Sequence, residues 1–498
     1  MHILVVGAGG YVGGRLVPRL LAAGHELTLA SRQPALVSHR FPDARVLAGD
    51  RIDDASIRQA VQGVEIVYHL PETIVHHGSD VWADEIRAAE VVGAAASAAG
   101  VARIIHLGEL GDAPPGAASS RPGLPCHRGE ALAHSGTPVL EFRASLIIGS
   151  GSAPFEMVRH LTDHIAIMTT PRWVASPAQP IAIREVLGYL AAALDHELSG
   201  VVEIGGPEVL SFADMLLEYA RIRGLRRVLI PLPVTTPAAS DIWVSLVSPL
   251  PRGVASTIIE RLLNGAVVRE GSMSSAFGIT PITYTEAISL ALDRTASNQV
   301  ETTWFDTFES RRRGASTPLQ ARKTPSTHPD ASEPRLLVDR RSVDIPAATD
   351  RVFEELERLG GPAGWPTGDF LWRIRGLLDR LVGGIGMRLG RRDRVRLRVG
   401  DALDFWRVEE LERPRLLRLS AEMRVPGRAW LEFVVEPTSV GSRLVQTAYF
   451  DPNGLAGYAY WYFLLPIHQP IFRGMIRVLA DRATNPRTVE RGTDATSL

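Results

Sequence analysis

Short apolar runs separated by amphipathic stretches set the pattern of the first 150 residues. Residues 3–6 are continuously apolar, as are 26–30 apart from two polar positions. Further runs follow at 64–70 (VEIVYHL), 102–107 (ARIIHL) and 139–149. Runs without strict alternation are buried on both faces, as strands of a parallel sheet are. Between them lie helical patterns, the clearest over residues 83–99. Strands alternating with helices predict an α/β fold with a doubly wound parallel sheet. Gly24 and His25 mark the end of the first helix, and Pro18 inside it should bend it. His106, within an apolar run, reads as a packed core residue. Residues 155–168 and 260–268 both read as helical, and Trp173 and Trp243 as apolar wall or core positions.

The pattern changes in the last third. Residues 340–359 predict a strand, then a helix carrying Val352, Phe353, Leu356 and Leu359 on one face. Period-two stretches follow at 402–412, 415–423, 428–437 and 442–450. In the third of these Ala429, Leu431, Phe433 and Val435 share a face. A long helix over about residues 460–483 closes this unit. The expected division is therefore a dinucleotide-binding domain at 1–300, a flexible linker at 301–334, an α+β domain at 335–483 and a disordered tail at 484–498. The linker rests mainly on residues 311–334, rich in Pro, Ser, Thr and Arg and without periodicity.

The turn after the first strand carries the chemistry. It reads GAGGYVGG, with glycines at Gly7, Gly9, Gly10, Gly13 and Gly14. Gly7 suits a tight turn off the strand, Gly10 a close approach of backbone N–H groups to a pyrophosphate, and Gly13 close packing of helix on sheet. The helix N-terminus then presents its partial positive charge to the phosphates. This loop resembles the short-chain dehydrogenase/reductase superfamily, with the Gly7-x-x-Gly10-x-x-Gly13 spacing of its extended and atypical, NmrA-like branches. The resemblance covers roughly residues 1–295. It implies dinucleotide contacts from Gly7, Gly9, Gly10, Tyr11, Val12 and Gly13, and from Asp50 and Arg51 after the third strand. Where an NAD-selecting acid would stand, this chain has Ser31 and Arg32. Arg32 suits a 2′-phosphate, so NADP is the expected cofactor and NAD the alternative.

The chain has a single lysine, Lys323, in the linker. The Tyr-x-x-x-Lys pair by which reductases of this superfamily move a proton is therefore missing. The family's Tyr/Lys helix aligns with residues 126–133 (CHRGEALA), which hold neither residue. The remaining acid/base candidates are Glu109, His127, Glu72 and His76, with His77 beside them; for each, an ordinary polar loop residue is the competing reading.

Composition narrows the picture. The net charge is −1 over 498 residues, which gives no global field for nucleic acid. One cysteine, Cys126, allows no intrachain disulfide, and no HExxH or cysteine pair marks a metal site. The N-terminus lacks a signal-peptide pattern, so a cytoplasmic location is expected. Residues 455–479 come nearest to a membrane span but are interrupted by Pro466, His468, Gln469, Pro470 and Arg473, so no span is expected and peripheral membrane contact is left open. The basic stretch 388–398 reads as a solvated face or an anion-binding one. The C-terminal pattern resembles the START/polyketide-cyclase helix-grip fold, whose members often hold an apolar ligand. Trp406, Trp430, Tyr458, Tyr460, Trp461, Tyr462 and Phe463 would supply a cavity or simply a core. Three functions follow: an NADP-dependent oxidoreductase acting on an apolar carbonyl, quinone or polyketide-like compound; a non-catalytic NADP-sensing module; or a lipid or isoprenoid carrier.

Overall fold

The computed structural model describes residues 1–31, 33–48, 53–70, 81–110, 126–231, 250, 252–263, 266–269, 272–306, 336–361, 364–368, 370–372, 374–376, 391–423 and 425–485. The chain divides into two units, residues 1–309 and 310–498.

The first unit is built on seven parallel strands: β1 (His2–Val6), β2 (Glu26–Ser31), β3 (Arg45–Ala48), β4 (Ile66–His69), β5 (Arg103–Glu109), β6 (Val139–Ala144) and β7 (Gly200–Ile204). Their order is β7-β6-β5-β4-β1-β2-β3. Adjacent residues of each strand point to opposite faces, and each face is apolar. Ile3 and Val5 pack toward α1 (Gly13–Ala22), α2 (Pro34–Arg40) and α7 (Ile183–Ala192). Leu4 and Val6 pack toward α3 (Asp54–Ala60), α4 (Val81–Ala98) and α5 (Cys126–Ala133). This is the doubly wound sheet that the continuous apolar runs imply. Strand order reverses between β1 and β4, which opens a crevice beyond their C-terminal ends.

Two expected helices are shorter than their patterns. Within residues 155–168, α6 (Ala153–His164) stops and Ile167–Thr170 forms a strand beside Val228–Pro231. The β-branched run there favours extended backbone. Within 260–268, α9 (Arg252–Leu263) ends before Ala266, which bridges to Ala178. α8 (Phe212–Ile222) and α10 (Tyr284–Ala296) complete the unit, each opened by a capping box. Trp173 is core, its ring 5.5 Å from Phe212; Trp243 lies outside the described residues. The expected linker at 301–334 starts within an ordered stretch: Thr302, Thr303, Trp304 and Phe305 are buried, and Thr302 hydrogen-bonds Arg15 of α1 and the Tyr11 carbonyl.

The second unit is a six-stranded antiparallel sheet in the order β8 (Leu337–Ile345), β13 (Gly441–Pro452), β12 (Gly427–Thr438), β11 (Leu416–Ala421), β10 (Trp406–Glu412) and β9 (Ala402–Leu403). α11 (Thr349–Glu357) follows β8, with Val352, Phe353, Leu356 and Leu359 buried as expected. The final helix, α12 (Gly454–Thr484), begins earlier than its pattern suggested, and Pro466 and Pro470 lie inside it. Leu431, Phe433 and Val435 are fully buried on one face of β12. That face is covered by α12: Phe450, in register with Ala429, stacks 5.6 Å from Trp461.

Candidate dinucleotide and active site

The glycine turn sits at the C-terminal end of β1, against the end of β4. Gly7 adopts φ +92°, open to glycine and strained for other residues. A Cβ there would lie 2.5 Å from the Leu70 carbonyl oxygen. A Cβ on Gly13 would lie 2.1 Å from the Gly7 carbonyl oxygen, so α1 starts directly on the turn it follows. The turn is closed by the Gly10 N–H donating to the Gly7 carbonyl at 3.1 Å, and the Gly14 N–H to the Gly10 carbonyl at 2.9 Å. Gly10 has no positive φ, so its small size is not a backbone requirement. Val12 caps α1 without a side-chain hydrogen bond, and the first turn holds no acid. The helix thus presents an uncapped positive end at the point where strand order reverses.

A buried arginine holds this turn in place. Arg15 is 2% exposed. Its Nε donates to Thr302 Oγ1 at 2.7 Å, and its Nη2 donates to the Ser150 carbonyl at 2.7 Å and the Thr302 carbonyl at 3.2 Å. Thr302 Oγ1 in turn donates to the Tyr11 carbonyl at 2.8 Å. The Arg15 guanidinium lies 4.7 Å from the Tyr11 ring centroid, a cation–π distance. Arg40 pairs with Asp306 at 3.1 Å, and the Trp304 N–H donates to the Gly151 carbonyl at 2.8 Å. Residues 299–306 are therefore a strap that braces α1 and the glycine turn. Tyr11, expected at the cofactor, has its hydroxyl turned to the Ser150 carbonyl at 3.3 Å, and burial pushes its phenol up to about 12.

A second polar cluster lies between β4, β5 and β6 and the helices α4 and α5. Glu85, Glu109 and Glu141 meet Arg128, Arg143 and Arg261, so the six charges cancel. Arg128 reaches Glu85 at 3.3 Å and Glu109 at 3.5 Å, and Arg143 reaches Glu141 at 3.0 Å; Arg261 pairs with Glu109 as well. Gly108 and Gly129 make room for Glu141, since a Cβ on either would meet its carboxylate at 2.6 and 2.1 Å. His69 and His106 stand beside this cluster with their Nδ1 atoms 3.1 Å apart. Burial, reinforced by Arg128, pushes His106 down to about 3, so it is neutral. Burial raises the Glu109 carboxyl, but Arg261 and Arg128 together outweigh it and hold the group below its usual range. Glu109 is thus an anion, poorly suited to donating a proton near neutral pH. Several atoms of this cluster make no hydrogen bond among the described residues: Glu109 Oε2, Arg128 Nε, Arg261 Nε and His106 Nε2, while Arg128 Nη2 keeps only its ion pair with Glu109.

Sequence and structure meet unevenly here. Gly7, Gly9, Gly10, Tyr11, Val12 and Gly13 form one turn at the crevice. Arg32, Asp50, Arg51, Glu72, His76 and His77 lie outside the described residues, as does the side chain of His127. Arg15, Thr302, Arg128 and Glu141 were not singled out from the sequence. One signal was legible in retrospect: Arg15 stands between Gly14 and the apolar pair Leu16 and Val17 on the sheet-facing side of α1. Among the described residues no group of His, Cys, Asp and Glu is arranged to hold a metal ion.

Comparison with known proteins agrees with this geometry. Residues 7–122 match the NAD(P)H-binding family, and residues 333–475 match a protein family of unknown function, DUF2867. A 3 beta-hydroxysteroid dehydrogenase/Delta 5-->4-isomerase of Mycobacterium tuberculosis is 32% identical over 108 residues, 22% of this chain and 28% of the relative. A 2-alkyl-3-oxoalkanoate reductase of Shewanella oneidensis is 32% identical over 83 residues, 17% of this chain and 20% of the relative. The chain thus spans about a quarter of the length of the curated relatives it matches. Among solved structures, the Bordetella bronchiseptica enzyme WbmG in complex with NAD aligns with a TM-score of 0.45 at 18% identity, over 62% of this chain and 94% of that one. The glycine turn, the uncapped helix end at the strand reversal and the family match agree: the N-terminal unit carries an NAD(P)H-binding Rossmann domain, joined in one chain to a DUF2867 domain.

Proposed function

We propose that this protein is an NADP-dependent oxidoreductase acting on an apolar carbonyl, quinone or polyketide-like compound without a Tyr–Lys pair. The observation that carries the reading is the set of open guanidinium valences on Arg128 and Arg261, next to anionic Glu109 at the C-terminal end of β5. Hydride arriving at a carbonyl carbon leaves negative charge on its oxygen. Preorganised donors in a dry site stabilise that charge. A guanidinium keeps its proton, so in this reading arginine stabilises the oxyanion and water supplies the proton. Bound at the glycine turn, the cofactor would supply the hydride, and Arg32 would meet a 2′-phosphate. The relatives named as a dehydrogenase and a reductase are consistent with this chemistry. The test is NADPH oxidation over a panel of quinones and apolar ketones. Turnover that falls in both Arg128→Met and Arg261→Met, with NADPH still bound, supports the reading. Binding without turnover of any substrate favours an NADP-sensing module instead, which the charge-neutral locking of Glu109 also fits.

A carrier role for the second unit, with peripheral membrane contact, has one specific observation in its favour. Leu455, Tyr458, Tyr462, Phe463 and Ile467 are exposed on the first half of α12, and α12 has no acid before Asp481. Aromatic and aliphatic side chains followed by arginines suit a membrane surface. Sedimentation with anionic lipid vesicles tests it, and absence of co-sedimentation removes it.

A further inference from the structure

The spacing of Gly7, Gly10 and Gly13 suits a dinucleotide, but it leaves Gly14, the last glycine of the turn, without a role. A Cβ on Gly14 would lie 2.9 Å from Thr302 Cγ2 and 2.7 Å from Arg40 Nη2. Gly151, at φ +76°, faces the same segment: a Cβ there would lie 2.5 Å from the Thr302 carbonyl oxygen. The two glycines cut a notch that seats the strap of residues 299–306. Val300, Thr302, Thr303, Trp304 and Phe305 of the strap are all buried. Arg40 ties it down at two points, its Nη2 donating to the Glu301 carbonyl at 3.3 Å and its Nη1 to Asp306 Oδ2 at 3.1 Å. A segment far along the chain is thus built into the first turn of α1.

Thr302 Oγ1 donates to the Tyr11 carbonyl at 2.8 Å. In a regular α-helix the N–H four residues on would take that carbonyl. Here the Arg15 N–H donates to the Val12 carbonyl instead, at 3.0 Å. The strap hydroxyl therefore stands in for a hydrogen bond of the helix itself. Arg15 completes the arrangement, because its Nε donates to the same Oγ1 at 2.7 Å. A threonine hydroxyl has one proton and can also accept. With the guanidinium donating to the oxygen, that proton is committed to Tyr11.

The peptide unit is planar and trans, so the Tyr11 carbonyl and the Val12 N–H point in opposite directions. Fixing one fixes the other. A hydrogen bond on the carbonyl also polarises the N–H and makes it a stronger donor. Val12 caps α1 where strand order reverses, the end at which a diphosphate would meet backbone N–H groups. We propose that Thr302 is a positioning residue of the dinucleotide site: through the Tyr11 carbonyl it aims the Val12 N–H at the diphosphate, and Arg15 sets the direction of its hydroxyl. Strap docking and dinucleotide binding then strengthen one another, because coupling of this kind is reciprocal. The proposal rests on the dinucleotide reading of the glycine turn and is independent of the oxidoreductase chemistry.

Titration of NADPH into the full chain, paired with hydrogen exchange, tests it. Thr302→Val keeps the shape but removes the hydroxyl, and should weaken NADPH about tenfold. Thr302→Ser keeps the hydroxyl and should restore the affinity of the parent. Thr303→Val is the control, since it loses a bond to Asp306 inside the strap and none to the turn. It should lower the thermal midpoint and leave NADPH affinity where it was. Saturating NADPH should slow exchange of strap peptides about tenfold in the parent, including the Trp304 N–H that donates to the Gly151 carbonyl, and much less in Thr302→Val. If Thr302→Val does not fold, the exchange response of the parent decides the matter. Equal NADPH affinity in the parent and folded Thr302→Val overturns the proposal, as does strap exchange in the parent that NADPH leaves unchanged. Equal losses of affinity in Thr302→Val and Thr303→Val also overturn it, since the strap would then act as packing alone. A parent that binds neither NADPH nor NADH overturns the dinucleotide reading itself, and this proposal with it.

Discussion

The two units bury polar groups with opposite electrostatic character. In the first, three carboxylates meet three guanidiniums beside the C-terminal ends of β4 and β5. In the second, the open groups among the described residues are the Gln446 amide, the Trp372 and Trp406 indoles and Arg341 Nε, and Arg341 is paired with Asp339. Both clusters leave donors unsatisfied. A charged donor is worth most where negative charge appears during a reaction; a neutral donor holds a neutral ligand without a large desolvation cost. In the proposed reading the first unit does chemistry and the second retains an apolar ligand, and each of the following experiments can break that contrast.

The largest effect should come from the strap. A fragment of residues 1–309 should fold and bind NADPH, because the glycine turn and its braces are complete. A fragment of residues 1–298 loses Thr302 and leaves the buried Arg15 without two of its acceptors. It should lose NADPH binding or solubility. Equal behaviour of the two fragments would show the strap to be decorative. Gly10→Val in the full chain should abolish binding while the fold persists, since φ at Gly10 is ordinary and the proposed role of the residue is close approach of the phosphates. Titration of NADPH into folded variant checks this.

Next in size is a matched pair across the two clusters. Arg128→Met leaves Glu85 and Glu109 buried with weakened partners, and should destabilise the first unit by about 3 kcal/mol or more. Gln446→Leu removes two unsatisfied atoms at similar volume, and should leave the second unit's stability unchanged or slightly raised. Urea unfolding of each variant decides the matter. A large loss from Gln446→Leu would mean that the amide is satisfied, and the contrast would fail.

Smaller again is cofactor choice. Arg32 paired to a 2′-phosphate should give a preference for NADPH over NADH of about tenfold or more, equivalent to about 1.5–3 kcal/mol, and Arg32→Ala should erase it. Titration of both cofactors into the parent and variant checks this, and equal affinities in the parent would end the NADP assignment.

What the sequence disclosed follows the physics of each feature. Strands β1, β2, β5 and β6 and the meander β10–β13 were legible because burial on one or both faces imposes a period that short windows reveal. The glycine turn was legible because Gly7 and Gly13 have no substitute at their backbone positions. The strap was not, since Thr302 and Thr303 look like any polar loop until Arg15 is found beneath them. The charged cluster was hidden for the same reason: Glu85, Arg128, Glu141 and Arg261 lie on four different elements and meet only in the fold. Gln446 sits in an alternating strand on the buried face, where its polarity breaks the pattern; that break was the one available sign of the open amide in the second unit.

The smallest expected effect is on acid stability, and it compares His106 with His468. Both are neutral when folded, at about 3 and about 4, against an ordinary value near 6.5. Unfolded chains protonate these rings below about 6.5, so the unfolded state binds more protons there and stability falls as pH drops. Each histidine's contribution is intact above about 6.5 and declines down to its folded value. Between about pH 7 and pH 5.5 each should cost its own unit about 1 kcal/mol. Glu109 adds nothing in that window, because its depressed carboxyl titrates only at lower pH. The groups around His106 are His69, Arg128, Arg143 and Glu109; those acting on His468 are Arg375 and Asp339. Hydrogen exchange resolves the units: protection of β5 peptides should fall with acidification in the parent and much less in His106→Gln, while protection of α12 should respond only to His468→Gln.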